Sequence, residues 1–331
     1  MASMGSCMRF VFLVGSCMLV GCTAAAQTPP ASVRPPTRNV PPHMPSTGAL
    51  NAATDCPAVD ATGATDTTAA LQSCVSRAYA ENAALFLPAG SRYLVSDTIW
   101  VNQTNWGGDG GINIVPCRFR PNVILGGGMV NGSRPTIVLA PRTPGFADPK
   151  HRRNVMKITN PAAENINMNN VIRGVDFDVG LGNPGAIALF FHGAQGATVQ
   201  DVTITLAPDA FAGFGGAGGA GGSHINVKVS GGVHAMFISE SEPAPLVAAS
   251  VFEGQSGAAI VFAGQPPLVL VGVTIRRPPG SIAASAPAIE SQEGLALEII
   301  DSVIECGEKG DSSGGVVVGS PARQVHQVLT T

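Results

Sequence analysis

The second half of the chain repeats a short apolar motif every 22 to 30 residues. Most copies pair a valine with a second apolar residue two positions later, as in Val175-Asp-Phe177 and Val202-Thr-Ile204. Alternation with a period of two is typical of a strand that buries one face. Recurrence at this interval indicates a stacked architecture, in which each repeat buries its apolar face against its neighbours. The six copies centre on Val175, Val202, Val227, Val251, Val273 and Val303, the fourth and sixth being looser matches.

Further strand candidates, bounded by glycine, lie between these copies at 186–191, 235–238 and 258–262. One repeat therefore holds at least two strands with glycine-rich corners. A propeller blade would need about 40 residues and four strands, and a leucine-rich repeat would need leucine and asparagine at fixed offsets that this chain lacks. We therefore predict an all-β fold, a right-handed parallel β-helix.

The composition favours a folded, apolar domain and gives no electrostatic case for nucleic-acid binding. Charged residues make up 12% of the chain and apolar residues 45%, whereas ordinary domains contain about 25% charged residues. The net charge of −3 provides no extended basic surface for a phosphate backbone. The short basic run at 150–153 is interpreted as a solvated loop.

The N-terminus has the features of an export signal and is excluded from the fold. Arg9 precedes an apolar run of 11 residues, which is too short to span a bilayer. Residues 1–22 end in a lipobox-like Leu19-Val-Gly-Cys22, which would leave a lipidated Cys22, whereas Ala24-Ala-Ala26 offers an ordinary signal-peptidase site. We expect an exported protein, either a bacterial cell-envelope lipoprotein or a secreted protein. A lipid on Cys22 would be its only membrane contact.

Three segments follow this signal. Residues 23–49 form a proline-rich linker, which stays extended because proline fixes φ and lacks an amide donor. Residues 50–325 form the β-helix domain, and 326–331 form a tail. The cysteines outside the signal allow three disulfide pairings, or they are small buried thiols. They are Cys56, Cys74, Cys117 and Cys306.

The start of the domain resembles the opening of a known superfamily. Residues 60–72 form a Gly/Asp-rich turn that leads into a helix, 84–90 carry a leucine-proline-glycine strand, and 93–96 begin with a tyrosine. This order is similar to the pectate-lyase-like single-stranded right-handed β-helix superfamily. Residues 171–204 resemble its branch related to exo-β-1,3-glucanases and polygalacturonase-related proteins. The resemblance covers roughly residues 57–305 and implies a carbohydrate-active protein.

A short α-helix is expected to cap the open N-terminal end of the stack. Asp66 can cap the first turn of this helix. Four residues share its apolar face and would cover the exposed end strand, which protects that strand from edge pairing. They are Leu71, Cys74, Val75 and Ala78.

Three aspartates are candidates for catalysis. Asp176 and Asp178 lie at i and i+2 of one predicted strand, so both side chains point away from the core. Their Cα atoms would lie about 6.6 Å apart, close to the roughly 6.5 to 9.5 Å between the carboxyls of inverting glycosidases. Asp201 opens the next repeat at the position equivalent to Gly174, where proximity to Asp176 could raise one pKa and create a general acid. The alternative is that these aspartates are solvated charges.

A second group of polar residues lies further along the chain. Glu240 and Glu242, in a predicted turn, are also candidates for catalysis. His192 follows a buried strand and would either assist a carboxylate or bond to the backbone at a corner. With His234 just upstream and Glu253 one repeat later, these side chains would line a single substrate-binding groove.

These carboxylates favour hydrolysis of an extracellular polysaccharide without a cofactor. The first alternative is a polysaccharide lyase, in which acidic residues hold Ca²⁺ and Arg173 is the base. The second is a non-catalytic glycan-binding or adhesion lipoprotein, and the third is a purely structural envelope protein. No metal site is predicted, because the chain has no C-x-x-C motif and its six histidines are scattered. The substrate polymer and the oligomeric state stay open.

Overall fold

The chain is all-β apart from one helix, α1 (Thr68–Ala80), within the part that the structure describes, and its strands pair in parallel. No helix in that part is long and apolar enough to cross a membrane. The predicted signal segment, with Cys22, lies outside the described residues. The computed structural model describes residues 48–103, 121–128, 133–160, 167–276, 286–291 and 296–304, and the backbone alone of 317–319 and 325–326.

The strands fall into three rows, to which successive repeats contribute in order. The first row comprises β1 (Ala49–Asn51), β3 (Ala84–Leu87), β6 (Val123–Gly126), β9 (Val171–Arg173), β16 (Leu246–Ala248), β19 (Leu268–Val271), β22 (Leu297–Ile300) and β25 (Val325–His326). The second comprises β2 (Thr62–Asp66), β4 (Arg92–Val95), β7 (Thr136–Leu139), β10 (Asp176–Val179), β17 (Val251–Glu253), β20 (Thr274–Arg276) and β23 (Val303–Ile304). The first two rows are joined by the long strands β12 (Thr198–Leu206) and β14 (Ser223–Ser230). The third comprises β5 (Ile99–Asn102), β8 (Arg153–Thr159), β11 (Ala186–Phe191), β13 (Ala212–Ala217), β15 (His234–Ser241), β18 (Ile260–Phe262), β21 (Ile289–Ser291) and β24 (Val317–Gly319).

Each strand pairs with the equivalent strand of the next repeat. The first and second rows together make a 17-stranded sheet, and the third row makes a separate 8-stranded sheet. Equivalent residues of successive repeats are paired, so the inward side chains form continuous apolar columns. This is expected when each repeat buries its apolar face against its neighbours. One such column in the second row consists of Tyr93, Ile137, Phe177, Ile204, Val229, Phe252 and Ile275, all of them buried.

Two of the six predicted strand centres are displaced by one residue. Val251 is only half-buried and Val303 is 46% exposed. In their repeats Ser250 and Ser302 take the buried position instead, because each hydroxyl accepts a hydrogen bond from a backbone amide of the preceding repeat. The other four centres lie in the core as predicted.

The backbone conformation at the corner between the first and second rows recurs in successive repeats and keeps their strands aligned. At this corner one residue per repeat adopts a left-handed backbone conformation, with φ between 46° and 70°. Glycine, asparagine and aspartate tolerate this conformation best. The register aligns the six residues, which are Gly174, Asp201, Asn226, Ala249, Gly272 and Asp301.

The helix α1 covers the beginning of the stacked strands through the apolar face predicted from the sequence, and it packs against β3, β4 and β5. Asp66 accepts hydrogen bonds from the amide and hydroxyl of Thr68, whereas the N-cap residue Thr67 forms no side-chain cap. Cys56 and Cys74 form a disulfide, which ties the preceding segment to the helix. Cys117 and Cys306 lie outside the described residues.

Loss of this disulfide should lower the free energy of unfolding by about 3 kcal/mol. The crosslink closes a loop of 18 residues, and restricting such a loop in the unfolded chain is worth about that much. We expect a double Cys56→Ser/Cys74→Ser variant to unfold at a lower guanidinium concentration than the parent. Reductant should lower the midpoint of the parent but not of the variant. If reductant leaves the parent unchanged, the crosslink does not stabilise the fold.

Candidate functional site

The predicted carboxylate pair lies on the outer face of β10, as its alternation indicated. Asp176 and Asp178 point outward, while Phe177 between them is buried. Asp176 accepts a hydrogen bond from the Thr203 amide at 2.8 Å, and its Oδ2 lies 3.7 Å from Nε of Arg134. Burial raises the pKa of Asp176 above its usual range, although the guanidinium and the amide act against this shift.

The structure places the other two members of this face in similar ion pairs. Asp178 accepts a hydrogen bond from Arg92 at 3.3 Å, across the intervening strand β7. Asp201 lies at the corner equivalent to Gly174, as predicted, and accepts from Arg173 at 3.0 Å and from Asn226 at 2.7 Å. Arg173, the candidate lyase base, is therefore engaged by a carboxylate. The Asp201–Arg173 pair ties neighbouring repeats together at the corner, whereas the Asp178–Arg92 pair spans two repeats.

The arginine at position 134 links two of these aspartates. Besides its contact with the Asp176 carboxylate, Arg134 donates a hydrogen bond to the backbone carbonyl of Asp201. Its side chain is only 22% exposed. The outer face of the second row is thus a set of fixed, partly enclosed ion pairs, each with its charge already compensated.

A different set of titratable groups meets on the third row, where a histidine lies between two glutamates. His192 follows β11, Glu240 lies near the end of β15, and Glu242 comes just after that strand. Nδ1 of His192 is 3.6 Å from Glu240 and Nε2 is 3.7 Å from Glu242. We call these three residues the His–Glu cluster. The predicted turn around the glutamates is wrong, because β15 continues to Ser241.

Glycine in the intervening strand allows the His–Glu cluster to form. The strand β13 pairs with β11 on one side and β15 on the other. A Cβ atom at Gly216 would lie 3.3 Å from the amide nitrogen of His192 and 3.4 Å from the carbonyl oxygen of Glu240. Gly216 also has a left-handed φ of 68°. A side chain here would push both flanking backbones away by a few tenths of an ångström and would be strained at this φ, so glycine favours the close approach of β11 and β15.

The glycine-rich composition of residues 213–222 predicts a flexible corner insertion, but only part of this segment is a loop. Residues up to Ala217 form a buried strand, and only the part from Gly218 onward connects β13 to β14. The signal that could have identified the cluster is a pair of glycines inside a strand-length apolar segment, which often marks close approach of another backbone.

The His–Glu cluster adjoins a band of cations and aromatic rings on the same outer face. Nζ of Lys157 lies 4.7 Å from the ring centre of Phe190. The Arg152 guanidinium lies 3.8 Å from the ring centre of Phe211 and 4.7 Å from that of Phe237. Such contacts hold both cations in defined positions. The interpretation of 150–153 as a solvated loop is therefore incomplete, because Arg152 is exposed yet stacked on these rings.

Two predicted binding residues lie outside the His–Glu cluster. His234 begins β15, where Nδ1 is 2.7 Å from the Ala258 carbonyl, and burial lowers its pKa. Its ring lies edge-on to Phe211, 5.2 Å between ring centres, so His234 belongs to the adjoining aromatic band. Glu253 belongs to the 17-stranded sheet and pairs with Lys228 at 2.6 Å. The predicted single groove is therefore not formed. Of its members, the structure brings together only the residues of the His–Glu cluster.

Among the described residues, no group of three or more His, Cys, Asp or Glu side chains is arranged to hold a metal ion. Calcium therefore stays a prediction tied to the lyase alternative. Comparisons with known proteins give neither a matching family model nor a matching curated protein.

Proposed function

We propose that the three rows of strands are the faces of a right-handed parallel β-helix of the pectate-lyase-like type, within an exported protein that acts on an extracellular polysaccharide. The parallel pairing of each strand with its equivalent in the next repeat supports this architecture. The resemblance of residues 57–305 supports the superfamily and its glucanase- and polygalacturonase-related branch. Export and a lipid on Cys22 rest on residues 1–22 alone.

The reaction we propose is glycoside hydrolysis at the His–Glu cluster. The observation that supports this reaction is that one imidazole lies between two carboxylates, with a glutamate near each ring nitrogen. Glycosidases need two carboxyl groups, one to protonate the leaving oxygen and one to activate water or attack the sugar. An imidazole between Glu240 and Glu242 holds these carboxylates apart, a spacing compatible with the wider separation of inverting enzymes.

Solvent access supports a division of roles between the two glutamates. The Glu240 side chain is 52% exposed and can reach water, so we assign it the role of general base. The Glu242 side chain is only 15% exposed and lies deeper beside His192, so we assign it the role of general acid. His192 positions both side chains. The arginine partners of Asp176, Asp178 and Asp201 favour a structural role for those aspartates instead.

A non-catalytic glycan-binding protein is the second candidate. The band of Lys157 and Arg152 stacked on Phe190, Phe211 and Phe237 favours it, because rigid cations on aromatic rings can bind a saccharide without reacting with it. In this case the His–Glu cluster would contribute hydrogen bonds alone.

The test is incubation of the purified protein with β-1,3-glucan, β-1,4-glucan, pectin and polygalacturonate. We expect new reducing ends without the ultraviolet absorbance of unsaturated uronates. The double variant Glu240→Gln/Glu242→Gln should lower the rate at least about a hundredfold, as expected when acid and base are both lost. The anomeric configuration of the first product, followed by NMR, should be inverted.

The matched variant Asp176→Asn/Asp178→Asn distinguishes the two carboxylate pairs. We expect it to retain activity, with circular dichroism confirming that it folds. Loss of activity in this variant, with full activity in the glutamate double variant, would reverse the assignment. Absorbance that disappears on calcium removal would identify a lyase. Glycan binding without any product, unchanged in the glutamate double variant, would favour the binding protein.

A further inference from the structure

A cleft lies between the start of α1 and the strand β5, four strands away from Glu240 in the order of the 8-stranded sheet. Its volume is about 570 Å³, within the usual range of small-ligand sites. It lies apart from the His–Glu cluster and shares no residue with it. Four of its lining residues determine what the cleft can bind: Asp66, Gln72, Asp97 and Trp100.

The floor of this cleft holds a rigidly placed tryptophan. Trp100 is 45% exposed, an unusual degree for a large apolar side chain in this molecule. The side-chain amide of Gln72 forms two hydrogen bonds with the backbone of Trp100. The Trp100 N–H donates to Gln72 Oε1 at 2.7 Å, and Gln72 Nε2 donates to the Trp100 carbonyl at 2.9 Å. Nζ of Lys157 lies 5.7 Å from the centre of the indole ring. An exposed indole on a backbone held in this way can stack against the apolar face of a sugar ring.

An accessible acceptor accompanies the indole. Oδ1 of Asp97 accepts from the Thr98 amide and from Arg153, whereas Oδ2 has no hydrogen-bond partner among the described residues. The Asp97 side chain is 56% exposed, so Oδ2 can accept a hydrogen bond from a sugar hydroxyl in the cleft.

The charge of the cleft selects among sugars. Burial opposes ionisation of Asp66, but hydrogen bonds from Ser96 and Thr68 outweigh it and hold the pKa below its usual range. Asp97 adds a second carboxylate, which is 56% exposed and is paired with Arg153. The partners of Asp66 are the neutral groups of Thr68 and Ser96, so no cation is hydrogen-bonded to this carboxylate among the described residues. The charge of Asp66 would repel a uronate or a sulfated sugar. An uncharged ring therefore fits the site better than an acidic one.

We propose that this cleft is a binding subsite for an uncharged pyranose, which stacks on Trp100 and donates a hydroxyl hydrogen bond to Asp97. The strands β8, β11 and β13 lie between β5 and β15, so the cleft and Glu240 are about 19 Å apart across the sheet. A monosaccharide cannot reach both sites, whereas one extended oligosaccharide can. The subsite does not depend on hydrolysis by the His–Glu cluster.

The test uses the fluorescence of Trp100 in the full-length chain carrying Trp106→Phe, since these are its two tryptophans. Titration with cellotetraose and with laminaritetraose should give a saturable change for at least one of them, and tetragalacturonate should bind at least tenfold more weakly. By calorimetry, Trp100→Ala should weaken binding at least tenfold and Asp97→Ala severalfold. Leu181→Ala is the matched control, because Leu181 is similarly exposed at 54% but does not line the cleft.

Equal affinities of the Trp100→Ala and Leu181→Ala variants would overturn the proposal, as would no response to either uncharged tetrasaccharide. Tighter binding of tetragalacturonate at Trp100 would overturn the assignment to an uncharged sugar. The Glu240→Gln/Glu242→Gln variant separates the two proposals: it should keep the Trp100 response in full. A protein that binds at Trp100 but never cleaves refutes hydrolysis alone, and one that cleaves without a Trp100 response refutes the subsite alone.

Discussion

Replacement of Gly126 by alanine should destabilise the protein by more than about 4 kcal/mol, a loss seen only when a substitution meets a specific structural conflict. Gly126 ends β6 and is followed in the next repeat by Gly174, at the corner between the first and second rows. A Cβ atom on Gly126 would overlap the carbonyl group of Gly174. Backbone atoms in a paired strand cannot move aside without breaking the ladder, so the two repeats would have to separate.

The matched control is Gly90→Ala. Gly90 has a left-handed φ of 74°, but nothing lies within 4 Å of the position its Cβ would occupy. This substitution should cost only about 1 kcal/mol, from backbone strain. Guanidinium unfolding of both variants, followed by circular dichroism, distinguishes two effects on the free energy of unfolding. One is the backbone contact at Gly126, and the other is the left-handed conformation at Gly90. If the two variants lose the same stability, contact between the repeats at Gly126 is not what limits the position.

The stacked parallel strands could be predicted from the sequence because their signal is local. An inward residue every second position, recurring at a regular interval, identifies four of the six strand centres. The displacement at Val251 and Val303 has a physical cause that apolar patterning does not contain. In Val251-Phe252 both residues are apolar, so alternation alone cannot tell which one faces inward. The Ser250 hydroxyl decides it, by bonding to the amide of the preceding repeat.

The candidate site was less predictable, because its contacts join residues far apart in the chain. Alternation correctly predicts the outward direction of Asp176 and Asp178. It cannot identify Arg92 as a partner, since that residue is 86 positions away from Asp178 and meets it only through the stacking order. The meeting of His192 with Glu240 depends equally on which strand lies between β11 and β15. It is also favoured by the glycines at positions 215 and 216, which suggest a loop when only the local sequence is considered.

A buried histidine should make the protein sensitive to mild acid. His224 occupies the apolar column of the first row between Val199 and Val247 and has no exposed surface. Its ring lies edge-on to Phe191 and Phe214, with ring centres 5.6 and 5.0 Å away. Neither ring nitrogen has a hydrogen-bond partner in the described part of the chain. Protonation would therefore place an uncompensated charge in the core.

Burial lowers the pKa of His224 from 6.5 to about 3. Between these values the unfolded chain binds a proton that the folded chain does not, so stability falls as the pH falls. The slope approaches about 1.4 kcal/mol per pH unit. The loss reaches about 3 kcal/mol between pH 7 and pH 4 and levels off near pH 3. Carboxylates with lowered pKa values, such as those of Asp66 and Glu253, also stabilise the folded protein. Their contribution is lost only below about pH 5, where they become protonated.

The variant His224→Leu should remove most of this dependence between pH 7 and pH 5, where histidines dominate. It should also raise the free energy of unfolding at pH 7 by about 1 to 3 kcal/mol, because two buried polar atoms without partners are replaced by apolar ones. His234, whose pKa burial also lowers, accounts for the residual slope. His151, which is 86% exposed and lies 2.7 Å from Asp148, provides the surface control, and His151→Ala should change the slope far less than His224→Leu does. Urea unfolding at pH 7, 6 and 5 measures all three proteins. An undiminished slope in His224→Leu would show that His224 does not control the response to acid.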